Sequence, residues 1–233
     1  MLDVAVMRPI AIGSLLPDEN DPDYFAGMFN REPHGLSARE LEDLLIGMFR
    51  EGLLLAWRLR QHYVMPGPNT VMPSPEEIGD ALTLGAPPTG PHRTRARLFY
   101  GLSPLGAERW EALAVPDWQD YVESAEGDSS YGDRYSIERT SINPSHLADF
   151  VQRDVELYRI ADPATVHRRR LRVWRATYWK SFAPAYRVRY LLWPEAELQA
   201  QGASMTCYDD LWHLEGRRRP TWYADYISKQ RME

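Results

Sequence analysis

The clearest hydrophobic pattern in the chain runs through residues 37–59. Apolar residues first recur at the spacing of one helical face, in the set Leu41, Leu44, Leu45, Met48 and Phe49. Ser37 and Glu40, three residues apart, form a capping box that begins this helix, and Gly52 can adopt the left-handed conformation that ends it. The pattern then changes to a period of two, which predicts a strand over residues 53–59.

A second strand and helix follow the same logic. Residues 95–102 predict a strand, after which Ser103 caps a helix that has Pro104 at its first position and runs through Ala114. The intervening residues 61–97 number 37, which is too long for a bare loop in a compact domain. Because Ser74-Pro75-Glu76-Glu77 is another capping box, we predict a short helix inside this excursion.

The order of these elements resembles the winged helix-turn-helix superfamily over residues 36–115. The resemblance rests on a helix, the strand EGLLLAWR, a hairpin excursion, the returning strand LFYGL and a helix opened by SPLG. It implies a winged-helix-like module in residues 1–125, with a wing extended by the insertion 61–97. It also implies that the helix after Ser37 is a DNA recognition helix and that the protein is a transcriptional regulator.

The second half of the chain predicts a separate module over residues 131–233. Asn143 and Pro144 begin a helix whose apolar face is Leu147, Phe150, Val151, Val155 and Tyr158. Residues 134–142 predict a strand before this helix. Alternation predicts further strands over 171–180 and 186–193, joined at 181–184, with a closing helix near 194–201. The predicted fold class is therefore α+β, with a helix packed on an antiparallel sheet in this module.

Charge is distributed unevenly and changes the functional interpretation. The net charge is −6, yet residues 1–87 hold 13 acids against 6 bases and residues 131–233 hold 13 against 17. The polar residues 123–133 are predicted to link the two halves. The polar side of the helix after Ser37 carries Arg39, Glu40, Glu42, Asp43, Arg50 and Glu51. This acidic surplus repels phosphates and favours a partner protein with a basic surface.

Arginine and aromatic residues alternate near residue 174, and two interpretations of this pattern stay open. Trp174, Tyr178 and Trp179 suit an interface or a nucleic-acid stacking surface, but they equally suit a core under the arginine stems. The basic triplets are Arg168, Arg169 and Arg170, and Arg217, Arg218 and Arg219. Basic runs are usually solvated, whereas convergence on one face would favour single-stranded nucleic acid or an acidic protein. Beside the wing, Arg93, Arg95 and Arg97 suit a DNA backbone or a solvated strand edge.

Sequence motifs for catalysis are missing. The chain contains no HExxH, GxSxG, GxGxxG or Walker-type sequence. Cys207, Asp209, Asp210 and His213 are close enough for a metal site or a nucleophilic pair, but CYDDLWHL also reads as a turn entering a strand. Ser103 is rejected as a nucleophile because Pro104 lacks the N–H of an oxyanion hole. We therefore predict no enzyme activity, cofactor or metal, and keep an enzyme using residues 209–213 as a third hypothesis.

The single cysteine fits a reducing compartment, and no apolar run is long enough to span a membrane. Because the opening residues also lack the basic region of a secretory signal, we expect a cytoplasmic protein without membrane contact. The leading hypothesis is a non-enzymatic protein-binding module of the immunity or adaptor type, using Glu40, Glu42, Asp43, Trp174, Tyr178 and Trp179. The alternative is a winged-helix DNA-binding regulator, using Arg93, Arg95, Arg97, Arg168, Arg169 and Arg170.

Overall fold

The protein folds into two compact units. The structure, a computed structural model, describes residues 5–16, 34–59, 69–85, 97–128 and 134–200. Within the described residues, unit 1 comprises residues up to Val115 together with Thr177–Lys180, and unit 2 comprises Pro116–Ala176 and residues 181–200. Each unit combines helices with antiparallel strands, which confirms the α+β class. The assignment of Thr177–Lys180 to unit 1 differs from the sequence-based division at residues 125–131.

A three-stranded antiparallel sheet forms the centre of unit 1. Its order is β1 (Ile10–Ala11), β3 (Arg97–Leu102) and β2 (Leu54–Leu59). Along β3 every residue after Arg97 is buried, so side chains are covered on both faces of the sheet, and the strand is paired on both sides. Trp57 lies opposite Phe99 in the register of β2 and β3, and both side chains belong to the core.

Three α-helices of the described residues pack around this sheet, and all begin where the sequence predicts. They are α1 (Ala38–Arg50), α2 (Pro75–Thr83) and α3 (Pro104–Ala114). The capping boxes at Ser37 and Ser74 are both present, and Gly52 follows α1 with φ +71°. The predicted apolar face of α1 is buried except for Leu44, which is 41% exposed.

The junction between β3 and α3 is tightly packed against the start of β2. The Ser103 Oγ accepts from the N–H of Gly106 at 2.9 Å, and the Ser103 N–H donates to the carbonyl of Leu53 at 3.0 Å. A Cβ added at Gly106 would lie 1.9 Å from that same Leu53 oxygen. The Ser-Pro cap therefore turns the chain sharply enough for the first turn of α3 to touch the β2 backbone, and only glycine fits there.

The predicted strand over residues 171–180 is wrong. The chain instead forms β6 (His167–Leu171), a two-residue strand β7 (Trp174–Arg175) and then a turn. The Thr177 Oγ1 accepts from the N–H groups of Trp179 at 3.3 Å and Lys180 at 2.9 Å. A threonine side chain that satisfies local N–H groups in this way stabilises a turn in place of a strand.

Unit 2 is built on a four-stranded antiparallel sheet. Its order is β4 (Glu123–Asp128), β5 (Tyr135–Ser141), β9 (Ala185–Leu191) and β6. Residues 123–128, predicted as part of a linker, thus form a strand. β4 tolerates its polar composition because, within the described residues, it pairs only with β5 and lies at the sheet edge.

Helices cover one face of this sheet. They are α4 (Pro144–Gln152), which is prolonged by a π-helical turn at Arg153–Leu157, and α5 (Glu195–Ala200). Asn143 caps α4 as predicted, with its Oδ1 accepting from Ser145 and His146. The core between helices and sheet contains Ile137, Leu147, Val151, Ile160, Ala161, Val188, Tyr190, Leu192 and Leu198.

A smaller aromatic cluster lies elsewhere in unit 2. The two-residue strand β8 (Ser181–Phe182) pairs with β7, and the ring of Trp174 stacks on that of Tyr121 with centroids 5.5 Å apart. Trp118 contacts Phe182 edge-on at 5.2 Å. Among the described helices of the whole chain, none is long and apolar enough to cross a membrane.

Candidate functional site

The outward side of α1 carries what we call the acidic stripe, which consists of Glu40, Asp43, Leu44, Gly47 and Glu51. Positions 40, 44, 47 and 51 share one side of a helix, and Asp43 lies next to them. The acidic members and Leu44 are exposed. The stripe therefore presents one apolar side chain among three carboxylates.

Hydrogen bonds fix the first carboxylate of the stripe. The Glu40 Oε2 accepts from the N–H of Ser37 at 2.9 Å and from its hydroxyl at 2.7 Å. These bonds, the side-chain one first, lower the pKa of Glu40 below its usual value. Glu40 consequently stays ionised, and its charge is held at the start of the helix.

The other predicted acids differ in position. Asp43 is exposed and forms no ion pair within the described part of the chain. Glu42 is half-buried, and a Cβ added at Gly79 of α2 would lie 3.3 Å from its carboxylate. Glu42 therefore lies against α2 and outside the stripe, whereas Glu40 and Asp43 face outward together.

Gly47 leaves the middle of the stripe without a side chain. Among the described residues outside the helix's own backbone, no atom lies within 4 Å of a Cβ added there, so no packing contact of the described part of the chain requires glycine. A glycine in a helix interior destabilises the helix by about 1 kcal/mol relative to alanine. Its presence allows another molecule to approach the α1 backbone closely beside Leu44.

A second charged surface lies on unit 2, and we call it the arginine surface. It comprises Arg168, Arg169 and Arg170 of β6 with Arg187 and Arg189 of β9. All are exposed except Arg187, which is half-buried. The sequence interpretation included the triplet but missed the other two, although their alternation with Tyr186, Val188 and Tyr190 is visible in YRVRY.

The register of β6 against β9 places these arginines on two faces. Arg169 lies opposite Arg187 on one face, and His167 lies opposite Arg189 on the same face. Arg187 also donates to Thr140 Oγ1 at 3.2 Å and pairs with Glu138 Oε1 at 3.1 Å. The three arginines and one histidine of this face thus meet a single acidic partner among the described residues of β5 and β9.

Arg168 and Arg170 point to the opposite face, where a groove opens beside α4. They lie opposite Val188 and Tyr186 in the register. The groove encloses about 160 Å³, and its lining includes both arginines, Tyr186 and Leu147. It combines guanidinium groups with an aromatic ring and aliphatic carbon.

The three aromatic residues predicted to bind a partner all have contacts inside their own unit. Trp174 is 4% exposed, and its indole N–H donates to Glu123 Oε2 at 2.8 Å. Tyr178 and Trp179 are half-buried within unit 1. The Trp179 indole N–H donates to the carbonyl of Val6 at 2.9 Å. These contacts explain why the residues are aromatic, and their role toward a partner stays a prediction.

The Tyr178 hydroxyl is the best connected of these polar groups. It donates to the carbonyl of Ala5 at 2.9 Å and accepts from the N–H of Leu102. A Cβ at Gly101 would lie 2.7 Å from the hydroxyl oxygen, so glycine there makes room for the ring. Burial raises the pKa of Tyr178 above its usual value.

The remaining predicted residues are less informative. Arg97 is half-buried in β3 and donates to the carbonyl of Gly85 at 3.0 Å. Arg93, Arg95, Arg217, Arg218 and Arg219 lie outside the described residues, as do Cys207, Asp209, Asp210 and His213. In the described ranges, no group of three or more His, Cys, Asp or Glu side chains is arranged to hold a metal ion.

No protein-family model matches this chain, and no curated protein or solved structure is significantly similar to it.

Proposed function

We propose that this protein is a non-enzymatic binding protein, of the immunity or adaptor type, whose acidic stripe docks on the basic surface of another protein. The observation that carries the proposal is the outward exposure of Glu40 and Asp43 on one side of α1. No described arginine or lysine forms an ion pair with Asp43, so its carboxylate can pair with a partner's basic group.

The chemistry of the stripe suits protein recognition. Carboxylates that face a basic partner accelerate its encounter and exclude partners of the same charge. Leu44, at 41% exposure, supplies an apolar group that a partner can bury at the centre of the contact. Gly47 lets the partner approach the helix backbone. Charge, apolar contact and access thus coincide on one helix face.

A winged-helix DNA-binding regulator is the second candidate. The sheet order β1-β3-β2, with α1 just before β2 and α3 just after β3, supports a winged-helix-like N-terminal module. In such a module α1 would be the helix that enters the major groove. The exposed carboxylates of Asp43 and Glu51 oppose this role because they repel DNA phosphates.

Charge reversal distinguishes the two candidates. The test variant is Asp43→Lys/Glu51→Lys, and both changes suit a helix because lysine is a good helix former and position 51 is near the helix C-terminus. The matched control, Glu108→Lys/Asp149→Lys, reverses two exposed charges elsewhere. A partner is captured from source-cell extract with the wild type, purified, and titrated against all three proteins.

We expect the test variant to bind the captured protein at least about tenfold more weakly, which corresponds to about 1.4 kcal/mol, while the control changes little. Duplex DNA, titrated in parallel, should bind none of the three proteins tightly. Equal partner affinity for wild type and test variant would reject the stripe as the docking surface. Tight duplex binding by the wild type through α1 would favour the regulator instead.

A further inference from the structure

Two positively charged arginines lie directly opposite each other across β6 and β9 of unit 2. Arg169 is directly opposite Arg187, and His167 is directly opposite Arg189. Like charges at directly opposite positions destabilise an antiparallel pair. Glu138 is the acidic neighbour of this face in β5, and it is already paired with Arg187. This arrangement costs stability, and a bound anion would offset that cost.

The arginine side chains of this surface bear on the chemical class of its ligand. The five basic side chains that define the arginine surface are arginines, as are 25 of the 27 lysine and arginine residues of the whole chain. The planar guanidinium group binds phosphate oxygens through two parallel hydrogen bonds, which an ammonium group cannot do. The guanidinium groups of this surface are therefore chemically suited to phosphate, although the residue type alone does not distinguish this surface from the rest of the chain.

The spacing of the arginines along β6 indicates that the ligand is a polymer. Alternate residues of a strand lie about 6.6 Å apart, so Arg168 and Arg170 repeat along the edge on one face while Arg169 serves the other face. Within the described residues β6 pairs only with β9, so no described strand lies on its outer edge. A row of separate guanidinium groups matches a chain of successive phosphates better than it matches one small anion.

The groove beside α4 adds a place for a base. Tyr186, which is half-buried against the core of unit 2, lines a space of about 160 Å³ together with the two arginines and Leu147. Proteins that bind single strands combine positive grooves with aromatic rings on which unstacked bases lie. An acidic protein would use the arginines but has no comparable need for the ring.

We propose that the arginine surface binds single-stranded nucleic acid, with guanidinium groups on its phosphates and a base in the groove beside Tyr186. This site is separate from the acidic stripe and does not depend on it. The overall charge of −6 opposes general attraction to nucleic acid, so binding is expected only at this local surface.

Fluorescence anisotropy with labelled single-stranded oligonucleotides, one of DNA and one of RNA, tests the proposal on the full chain. The test variant is Arg168→Gln/Arg170→Gln, which removes the two exposed guanidinium groups that line the groove with Tyr186. The control, Arg109→Gln/Arg175→Gln, removes two exposed arginines elsewhere and has the same net charge. Urea unfolding verifies that both variants are folded.

We expect the test variant to bind at least about tenfold more weakly and the control to remain within about twofold of the wild type. The slope of log affinity against log salt should fall by roughly 1.4 in the test variant, since each lost contact to a single strand contributes about 0.7. Equal affinity of test variant and control would overturn the proposal.

Unlabelled competitors of the oligonucleotide probe identify which class of negatively charged molecule the surface binds. Unlabelled oligonucleotide should displace the probe, whereas polyglutamate of equal charge and a duplex of equal length should compete weakly. Equal competition by polyglutamate would mean that the surface recognises acidic protein, and this result would reject the nucleic-acid proposal. Displacement by pyrophosphate at the same phosphate concentration would indicate a free phosphate compound and would reject it as well.

Discussion

The hydroxyl of Tyr178 donates a hydrogen bond to the carbonyl of Ala5 at 2.9 Å, although 173 positions separate them in the chain. The same oxygen accepts from the N–H of Leu102 at the end of β3. Next to it, Trp179 meets Trp110 edge-on at 5.9 Å, and Lys180 pairs with Glu111 at 2.6 Å. Thr177–Lys180 is thus an integral part of unit 1.

Replacing Tyr178 with phenylalanine should destabilise unit 1 without changing its shape. The ring remains, but the Leu102 N–H loses its acceptor and the Ala5 carbonyl loses its donor. An unsatisfied buried group costs about 1–3 kcal/mol, and we expect a loss of unfolding free energy in that range. Urea unfolding at pH 8 measures it, and Tyr135→Phe, at an exposed tyrosine, is the control. A loss no larger than that of the control would contradict the role of this hydroxyl.

The pKa of Tyr178 predicts how this effect depends on pH. Its pKa is raised in the folded state above the ordinary value of 10.0, because burial disfavours the phenolate. The tyrosine therefore contributes its full stability below pH 10 and loses it progressively as the pH rises above that value. The stability difference between wild type and Tyr178→Phe should shrink between pH 9 and pH 11. A constant difference over this range would argue against a buried hydroxyl.

Two glycine-to-alanine substitutions in helices of unit 1 should change the stability of the protein in opposite directions. Gly106→Ala places a Cβ 1.9 Å from the Leu53 carbonyl, which forces α3 away from β2 and should cost about 1–3 kcal/mol. Gly47→Ala adds a methyl group to open space in α1 and should stabilise the protein by up to about 1 kcal/mol. Thermal unfolding of both variants provides the comparison. Stabilisation by Gly106→Ala would contradict the packing at the Ser-Pro junction.

A buried ion pair holds the π-helical turn of unit 2 to its sheet. The Arg139 Nη1 donates to Asp154 Oδ2 at 2.6 Å, and the Tyr190 hydroxyl donates to the same oxygen. Arg139→Met would leave the buried carboxylate paired with Arg153, whose Nε lies 3.5 Å from the Asp154 Oδ1, so the loss should lie at the lower end of the about 3–5 kcal/mol that breaking a buried pair usually costs. The double variant Arg139→Met/Asp154→Leu should recover part of the loss, as chemical denaturation can measure. A single variant as stable as the wild type would contradict the burial of this pair.

We expect Trp174 to contribute mainly to the folding stability of the protein and less to the binding of a partner. Its ring is 4% exposed, stacks on Tyr121 and is oriented by Glu123. Trp174→Ala should therefore destabilise the protein by about 3–5 kcal/mol, the usual cost of truncating a buried aromatic residue. Circular dichroism during thermal unfolding checks this. An unchanged melting temperature would assign the ring to a surface contact instead.

Local signals in the sequence predicted the helix starts correctly. Ser37, Ser74, Ser103 and Asn143 all cap helices because their side chains and the following residues satisfy N–H groups within three positions. The predicted strand over residues 171–180 does not form as one strand. Thr177 turns the chain, and the carbonyl groups of Val6 and Ala5, far away in sequence, accept hydrogen bonds from the residues that follow it. No period in the local sequence carries that information.

The candidate surfaces show the same limit. Periodicity alone placed Asp43 on the polar side of α1, since a helix determines its own faces. The arginine triplet was visible as composition, but its partner strand was not, because the register of β6 against β9 is set by contacts between distant residues. The opposition of Arg169 and Arg187 could be found only from the fold.

Photocrosslinking from the acidic stripe tests the central claim most directly. Leu44, 41% exposed at the centre of the stripe, is replaced by p-benzoylphenylalanine in the source cells, with Leu157, 70% exposed on unit 2, as the control position. We predict a crosslinked protein from position 44 that is lost with Asp43→Lys and is absent from position 157. A nuclease-sensitive adduct at position 44, or a protein adduct unaffected by Asp43→Lys, would contradict the account.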